Sequence, residues 1–265
     1  MTASIQIHNV GDIVQTFEIF ALDIRQQDEQ GQIAFVDKPL SGTAFTLASF
    51  VQIDENLVTL APQEQKEIFF QIRNSVDLSP GGHYGAVIAR IQNQTETPSE
   101  QKILPALSSL LLIHKEGGEQ YQLSLAPLDL SKNTLSLSLP SELRLLFSNQ
   151  GNSHVVPRGV ISVTDMFGRL VYKGIINESS LFVLPQSKRE VKVKIQPVAY
   201  TFPLSFLSIK VEGSSDPGQS HYYQSFSLIL IKPKIFMILL LLLVLLLYGA
   251  KRIRKSREKS FKKLL

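Results

Sequence analysis

The sequence predicts an all-β protein, with two tandem Ig-like antiparallel β-sandwiches followed by one C-terminal transmembrane helix. Short runs of alternating apolar and polar residues recur along the chain, separated by turn residues roughly every 8 to 12 positions, a spacing typical of sandwiches. The pattern restarts after Glu116-Gly117-Gly118-Glu119, which we interpret as a domain boundary. An uncharged apolar run then occupies residues 235–250, close to the C-terminus.

The first sandwich is predicted over residues 1–116. Its turn signals include Asn9-Val10-Gly11-Asp12 and Pro80-Gly81-Gly82, residue types that favour tight turns. Residues 44–51 fit either a strand or a single helical turn, whereas residues 93–101 indicate a hairpin loop. The predicted strands lie near residues 5–7, 14–21, 33–36, 57–60, 67–73, 84–91 and 106–114.

The second sandwich is predicted over residues 119–231. Its clearest strand is at residues 190–195, where valine and isoleucine alternate with charged residues. The last strand leads almost directly into Pro233, which cannot donate a ladder hydrogen bond and would separate the strand from the following helix. The predicted strands lie near residues 121–125, 134–139, 143–148, 160–164, 170–172, 190–195, 204–211 and 222–231.

The two predicted sandwiches present their turn motifs in the same order. In each, an Asn-x-Gly turn follows an early strand, and a proline-containing turn precedes a later alternating strand. This agreement favours a repeat of one sandwich type, while convergent strand-and-turn composition is the alternative. The corresponding motifs are Asn9-x-Gly11 with Asn149-x-Gly151, and Leu60-Ala61-Pro62 with Leu184-Pro185.

The apolar run at residues 235–250 is predicted to anchor the protein in the plasma membrane as a single-pass helix. Sixteen helical residues span about 24 Å, slightly less than a hydrocarbon core of about 30 Å, and flanking lysines can close the difference by snorkelling. Eight Lys/Arg follow in residues 251–265, so the positive-inside rule makes this tail cytoplasmic and residues 1–231 extracellular. A buried core helix is the rival interpretation. The residues assigned to the anchor are Ile235, Phe236, Leu240, Leu245, Tyr248, Lys251 and Arg252.

An exported N-terminal region requires a signal peptide, which residues 1–5 do not resemble because they have neither a basic nor a long apolar stretch. We therefore expect the natural gene product to begin further upstream, with a signal peptide and a first edge strand that is truncated here. A tail-anchored cytosolic protein is the alternative, although it would have to move the basic tail across the membrane.

The composition narrows the class of function. The chain has no cysteine, which excludes disulfides, thiol nucleophiles and cysteine-ligated metals and is ordinary for bacterial surface proteins. The net charge of +4 comes from the C-terminal tail, because without residues 251–265 the chain carries a net charge of −3. A mildly acidic folded region argues against nucleic acid as a partner.

The sequence contains no convincing catalytic, cofactor-binding or metal-binding motif. Its five histidines lack metal-ligand spacing, and neither His-Glu-x-x-His nor Gly-x-Ser-x-Gly is present. The glycine-rich stretch Pro80-Gly81-Gly82-His83-Tyr84-Gly85 invites comparison with a phosphate loop, but it precedes a strand and lacks the Lys-Ser/Thr pair, which favours a turn. We predict a non-enzymatic protein without a cofactor, and an enzyme with a dispersed site is the alternative.

Several turn motifs resemble those of bacterial WxL-interacting surface proteins, which combine tandem Ig-like domains with a C-terminal membrane anchor. The resemblance implies extracellular binding to peptidoglycan, partner surface proteins or host matrix, without catalysis. The residues that carry it are Asn9, Gly11, Pro62, Pro80, Gly81, Gly82 and Tyr84 in the first predicted sandwich, and Asn149, Gly151, Pro157, Gly159 and Pro185 in the second.

Two functions follow as hypotheses. The first is a membrane-anchored extracellular adhesion or cell-envelope scaffold protein, whose partner is a cell-wall polymer or a surface protein. The second is a membrane-tethered accessory or assembly subunit of a larger envelope or secretion complex. Neither hypothesis assigns a catalytic residue.

Overall fold

The described residues form four β-sheets, two from the N-terminal half and two from the C-terminal half. The computed structural model describes residues 1–36, 44–92, 106–128, 135–218, 220–232, 237–238 and 241–252. Alternating sequence produces these strands because successive side chains point to opposite faces of a sheet, so that one face can be apolar. The prediction of an all-β protein with two sandwiches is confirmed.

The described elements comprise seventeen strands, one short 3-10 helix and a C-terminal helix that includes residues 241–252. The strands are β1 (Thr2–His8), β2 (Gln15–Gln26), β3 (Ile33–Val36), β4 (Val51–Ile53), β5 (Leu57–Leu60), β6 (Gln65–Ile72), β7 (Gly81–Ile91), β8 (Ala106–Lys115), β9 (Leu123–Leu125), β10 (Leu135–Ser136), β11 (Glu142–Asn149), β12 (Val156–Asp165), β13 (Leu170–Ile176), β14 (Ser187–Lys194), β15 (Gln196–Pro197), β16 (Leu204–Asp216) and β17 (His221–Ile231), and the 3-10 helix η1 is Ala48–Phe50.

The N-terminal half packs a three-stranded sheet, in the order β1-β6-β4, against a sheet in the order β3-β2-β7-β8, with β5 also paired to β2. The C-terminal half packs the sheet β14-β11-β9 against the six-stranded sheet β10-β17-β16-β12-β13-β15. Among the strands described, pairing is antiparallel except between β10 and β17. The counterparts β1 and β11 both pair with the strand that follows the proline turn, β6 and β14 respectively.

Each half has its own apolar core between its two sheets. The core of the N-terminal half is built around Phe70 and Leu60, and that of the C-terminal half around Phe147 and Val163. A third cluster lies on the opposite face of β2 and β7 and includes Leu184 from the C-terminal half. The halves therefore share buried apolar surface.

The predicted strands agree with the observed ones except where local patterns were ambiguous. Within residues 44–51, Ala48–Phe50 form the 3-10 helix η1, which leads into β4, in agreement with the helical-turn alternative. The strand predicted at residues 134–139 is observed only as the short β10. The hairpin loop predicted at residues 93–101 lies outside the described residues.

The predicted transmembrane helix is wrong. Within the described parts of the chain, no helix combines the length and the apolar character needed to cross a bilayer. The longest helical run described, residues 241–252, would span about 18 Å, against a hydrocarbon core of about 30 Å. The predicted single-pass location in the plasma membrane, with an extracellular N-terminal region and a cytoplasmic tail, depended on this helix and is wrong as well.

The residues assigned to the anchor divide into two groups. Leu245, Tyr248, Lys251 and Arg252 lie on this C-terminal helix. Ile235, Phe236 and Leu240, together with the tail from residue 253 onward, lie outside the described residues.

Candidate functional site

A buried asparagine ties the two sheets of the N-terminal half together. Asn9 follows β1, and its side-chain Nδ2 donates to the carbonyl oxygens of Leu60 and Ala61 at 3.1 and 3.0 Å and of Ile13 at 2.8 Å. Its Oδ1 accepts a hydrogen bond from the backbone N–H of Gly11 at 3.1 Å. One amide therefore satisfies the Asn-x-Gly turn and joins it to the residues before the proline turn.

Asn149 performs the same task in the C-terminal half. It ends β11, and its Nδ2 donates to the carbonyl oxygens of Ser153 at 2.8 Å and Val183 at 3.0 Å. Its Oδ1 accepts from the N–H of Gly151 at 2.9 Å. The repeat predicted from the turn motifs thus exists as matching hydrogen bonds.

In each half, a glutamine that follows the proline also hydrogen-bonds to the Asn-x-Gly turn. This role was not predicted from the sequence. Gln63 and Gln186 both have positive φ, 61° and 54°, which turns their side chains back over the Asn-x-Gly turn. The Nε2 of Gln63 donates to the carbonyl oxygen of Val10 at 3.1 Å, and that of Gln186 to the carbonyl oxygen of Gln150 at 2.8 Å. The available signal was the dipeptide Pro-Gln, which follows both turns.

Two turn motifs that the sequence presents as separate meet at the junction between the halves. The N–H of Gly82 donates to the carbonyl oxygen of Asn152 at 2.8 Å, and Asn152 Nδ2 donates to the carbonyl oxygen of Gly118 at 2.9 Å. Gly81 has a φ of +119°, and a Cβ there would lie 2.9 Å from the same Asn152 oxygen. The glycines after Pro80 therefore permit the close approach of the two halves.

Tyr84 and His154 form the buried centre of this junction. The backbone N–H of His154 donates to the Tyr84 hydroxyl at 2.7 Å, and that hydroxyl lies 3.1 Å from His154 Nδ1. Burial raises the pKa of Tyr84, so the phenol keeps its proton and can donate it to Nδ1. Burial, with a smaller contribution from His114, lowers the pKa of His154, which favours the neutral ring that this contact needs.

A second set of contacts joins β2 to β14. Ser187 Oγ donates to Gln26 Oε1 at 2.9 Å, and the N–H of Glu190 donates to the carbonyl oxygen of Glu29 at 2.6 Å. A cavity of about 200 Å³ lies beside them and is lined by residues of both halves, including Tyr84. These contacts make the junction a packed interface.

A groove of about 760 Å³ opens between β1 and β8, on one side of the N-terminal sandwich. In the part of the chain that the structure describes, β1 pairs only with β6 and β8 only with β7, so each has an unpaired edge facing the groove. The side chain of Leu107 is 81% exposed at its rim. The apolar side chains lining it are Ile5, Ile7, Val10, Phe17, Val87, Ala89, Ile91, Ala106 and Leu107.

The remaining motif residues have local structural positions. Pro62 and Pro185 lie in the turns before β6 and β14. Pro157 and Gly159 lie within β12 rather than in a turn, and a Cβ on Gly159 would come within 2.2 Å of the Glu212 carbonyl oxygen on β16. The absence of a side chain at Gly159 therefore allows β12 and β16 to lie close together at this position.

The histidines do not converge on a metal site. Among the residues described, no three His, Asp or Glu side chains are grouped so that they could hold a metal ion. His83 is buried with its ring nitrogens 3.0 Å from the Thr46 and 2.7 Å from the Ser79 carbonyl oxygens. These contacts hold the loop that precedes β7 in place.

Comparison with known proteins gives similar structures but no family. No protein-family model and no curated protein matches the chain. A structure described as a chaperone–tip adhesin complex of CFA/I fimbriae has 13% sequence identity and a TM-score of 0.44, with 85% of this chain and 91% of that chain covered. The class 5 fimbrial chaperone CfaA has 11% identity and a TM-score of 0.39, covering 85% and 92%, and the Pseudomonas aeruginosa chaperone CupB2 has 10% and 0.36, covering 86% and 92%.

These comparisons correct the resemblance to WxL-interacting proteins, which is wrong. Most of the motifs that carried it form turns that join two sheets or the junction between the halves, and Pro157 and Gly159 lie within β12. None of these positions identifies one family. The predicted adhesion or envelope-scaffold function, and the membrane-tethered alternative, are corrected by the same comparisons and by the absence of a spanning helix from the described residues.

The similar structures are described as chaperones, in agreement with the prediction of a non-enzymatic protein. Two further similar structures contain a protein partner, a tip subunit in one and a pilin in the other. A protein, and not a cell-wall polymer, is thus the kind of partner found in these structures.

Proposed function

We propose that the protein is a non-enzymatic binding module that takes up an extended segment of a protein partner as an added β-strand. The groove between β1 and β8 is the binding site. The observation that carries this proposal is the combination of two unpaired strand edges with an apolar floor between them, in the described part of the chain.

The chemistry of the groove suits an extended peptide. Unpaired backbone N–H and C=O groups along a strand edge offer a template for another strand, and pockets beneath it accept alternate side chains. Leu107 and Val10 are 81% and 74% exposed at the rim of the groove. A bound ligand would remove this apolar surface from contact with water. Backbone pairing supplies affinity, and the apolar floor selects segments with alternating apolar residues.

We further propose that the two sandwiches are separate Ig-like domains, over residues 1–116 and 119–231. Their separate apolar cores and their matching asparagine turns support this division. The binding function is assigned to the first of them, and the second holds it in place through the junction at Asn152 and His154.

The binding proposal is tested with the full chain and a library of fluorescent peptides that alternate apolar and polar residues. Leu107→Asp introduces a charge at the rim of the groove, and its exposure makes the change tolerable for folding. Val76→Asp is the matched control, since Val76 is 97% exposed and does not line the groove.

We expect fluorescence anisotropy to detect binding to the unchanged chain, at least tenfold weaker binding to Leu107→Asp, and no change for Val76→Asp. Failure of every alternating peptide to bind, or equal binding by Leu107→Asp, would contradict the proposal.

A further inference from the structure

A buried carboxylate lies at the wall of the cavity between the two halves. Asp23 on β2 is 4% exposed, and its Oδ1 accepts hydrogen bonds from the backbone N–H groups of Leu47 and Ala48, both at 2.7 Å. These bonds fix the carboxylate against the 3-10 helix η1. The other oxygen, Oδ2, is buried and has no hydrogen-bond partner among the described residues. The side chain is therefore held in place with one acceptor unused.

The unused oxygen of Asp23 is not explained by the structural role of this residue. A buried polar atom gives up its hydrogen bonds to water, and a buried negative charge is stable only beside donors or a cation. Within the part of the chain that the structure describes, Asp23 forms no ion pair. Support of η1 accounts for Oδ1 alone, so Oδ2 still needs a hydrogen-bond donor.

The cavity beside Asp23 is large enough for a group of several heavy atoms. Its volume is about 200 Å³, whereas roughly 10–15 Å³ is enough for one water molecule. Asp23 is one of the residues that line this cavity. Because η1 uses Oδ1, Oδ2 is the oxygen that remains for a bound molecule.

The other walls of the cavity favour a hydrocarbon chain. Ile24, Phe45 and Leu184 belong to the apolar cluster that joins the two halves, and all three line the cavity together with Pro185. Apolar walls pack well against methylene groups, whereas water molecules held there would find few hydrogen-bond partners. A carboxylate with apolar surroundings is suited to a ligand that has a polar head on an alkyl chain.

The charges around the cavity indicate the sign of that head group. Two charged side chains are among the described residues that line it, namely Asp23, which is buried, and Arg25, which is exposed. An exposed guanidinium is hydrated and screened by salt, whereas a buried carboxylate is screened much less. The field inside the cavity is thus set by Asp23, which favours a cation that carries N–H donors.

We propose that this cavity binds a primary alkylammonium group, whose N–H donates to Asp23 Oδ2 while its alkyl chain packs on Ile24, Phe45 and Leu184. A lysine side chain of a protein and a free amine both present this group. Since Leu184 comes from the C-terminal half, the ligand would contact both halves at once. The site is separate from the groove between β1 and β8, so this inference does not depend on the binding function proposed there.

An NMR titration of the full chain tests the inference, because the N–H groups of Leu47 and Ala48 contact the Asp23 carboxylate directly. The probes are n-butylammonium, Nα-acetyl-lysine amide, n-butanol, which has no charge, and butyltrimethylammonium, which has a charge but no N–H donor. We expect n-butylammonium to shift both amide signals, and the last two probes to bind at least tenfold more weakly. Binding should persist at high salt, since the carboxylate is buried.

Asp23→Asn is the informative variant, because its side-chain carbonyl can still accept from Leu47 and Ala48 while an NH₂ group replaces Oδ2. It should bind n-butylammonium at least tenfold more weakly. Val36→Phe fills the cavity without changing the carboxylate, should weaken binding to the same extent, and gives a second measurement if Asp23→Asn does not fold. Asp54→Asn, at an exposed carboxylate that does not line the cavity, is the control and should leave the affinity unchanged.

The outcomes distinguish the two sources of the amine from failure of the inference. Binding of Nα-acetyl-lysine amide would show that a lysine of a protein fits the site, and binding of n-butylammonium alone would assign the site to a free amine. Equal binding of n-butanol or butyltrimethylammonium, unchanged affinity in Asp23→Asn or Val36→Phe, or no shift of the two amide signals with either amine would overturn the inference. None of these results would affect peptide binding at the groove, which is measured separately with Leu107→Asp.

Discussion

At the scale of single residues, the fold depends on a few buried polar side chains whose hydrogen bonds join distant parts of the chain. Asn9 and Asn149 each use one amide to close a turn and to hold a segment of the opposite sheet. The sequence indicated that these asparagines form turns, because Asn-x-Gly is a local signal. It could not show the distant carbonyl partners, since those are set by sheet packing.

Replacing Asn149 by alanine is expected to lower the free energy of unfolding by about 2–4 kcal/mol, because it leaves the buried carbonyl oxygens of Ser153 and Val183 and the N–H of Gly151 without their partner. Urea denaturation followed by circular dichroism measures this loss. Ser148→Ala, on the outward face of the same strand, is the control and should change stability by less than about 0.5 kcal/mol. An equally small loss in Asn149→Ala would contradict the role assigned to the amide.

The His154–Tyr84 contact should make stability depend on pH. The pKa of His154 is lowered in the folded state, so its contribution is complete above the ordinary histidine pKa of about 6.5 and is lost as the pH falls through that value towards the folded one. Protonated Nδ1 can no longer accept from the Tyr84 hydroxyl. We expect the urea midpoint to fall more steeply between pH 7 and pH 5 in the unchanged chain than in His154→Phe.

His8→Phe is the control for this pH experiment, because His8 is exposed and makes no contact at the junction. Its midpoint should follow the same pH dependence as the unchanged chain. If His154→Phe also keeps the full acid sensitivity, the dependence arises from groups other than His154.

At the scale of elements, the alternating pattern was sufficient to predict most strands, because half-buried strands need apolar side chains at every second position. The pattern of β14 is an example, with Val191 and Val193 buried and Lys192 and Lys194 exposed. The junction was not predictable in this way. The glycines after Pro80 mark a turn in the sequence, but which surface they approach depends on where the second sandwich packs.

The groove could not be predicted for a related reason. Leu107 lies in the strand sequence ALSSLLLIHK, which would be the same whether its inward face is covered or open. Only the positions of β1 and β8 in their sheets show that the facing edges are unpaired among the described residues. An exposed edge is a property of the assembled sheet and leaves no local signal in the strand itself.

Substitutions on β8 and β17 should therefore differ strongly in their effect on stability, because Leu107 is exposed and Tyr222 is buried. Tyr222→Ala removes a buried ring and the hydrogen bond of its hydroxyl to the Arg158 carbonyl oxygen, 2.8 Å away, and should cost about 3–5 kcal/mol. Leu107→Ala removes a mostly exposed side chain and should cost less than about 0.5 kcal/mol. Urea denaturation of the two variants measures the difference, and similar losses would mean that the groove is already filled.

At the scale of the whole molecule, the two sandwiches have separate cores but meet through a junction of specific contacts. Leu184 enters the apolar cluster on the outer face of β2 and β7, and Asn152 and Tyr84 link the turns. Two sandwiches with separate cores unfold in one cooperative transition only if the interface between them is strong enough, and otherwise unfold in separate steps. The junction thus sets the position of the groove-bearing sandwich relative to the second one.

Weakening the junction should separate the unfolding of the two halves. The double variant Asn152→Ala with Tyr84→Phe removes the Asn152 Nδ2 bond to Gly118 and the Tyr84 acceptor of the His154 N–H, while leaving both cores intact. We expect calorimetry to show one transition for the unchanged chain and two for this variant. Hydrogen exchange should assign the less stable transition to the N-terminal sandwich, in which the facing edges of β1 and β8 are unpaired among the described residues. Asn56→Ala, an exposed asparagine away from the junction, should keep the single transition, and a single, merely shifted transition in the double variant would mean that the apolar contacts of Leu184 alone couple the halves.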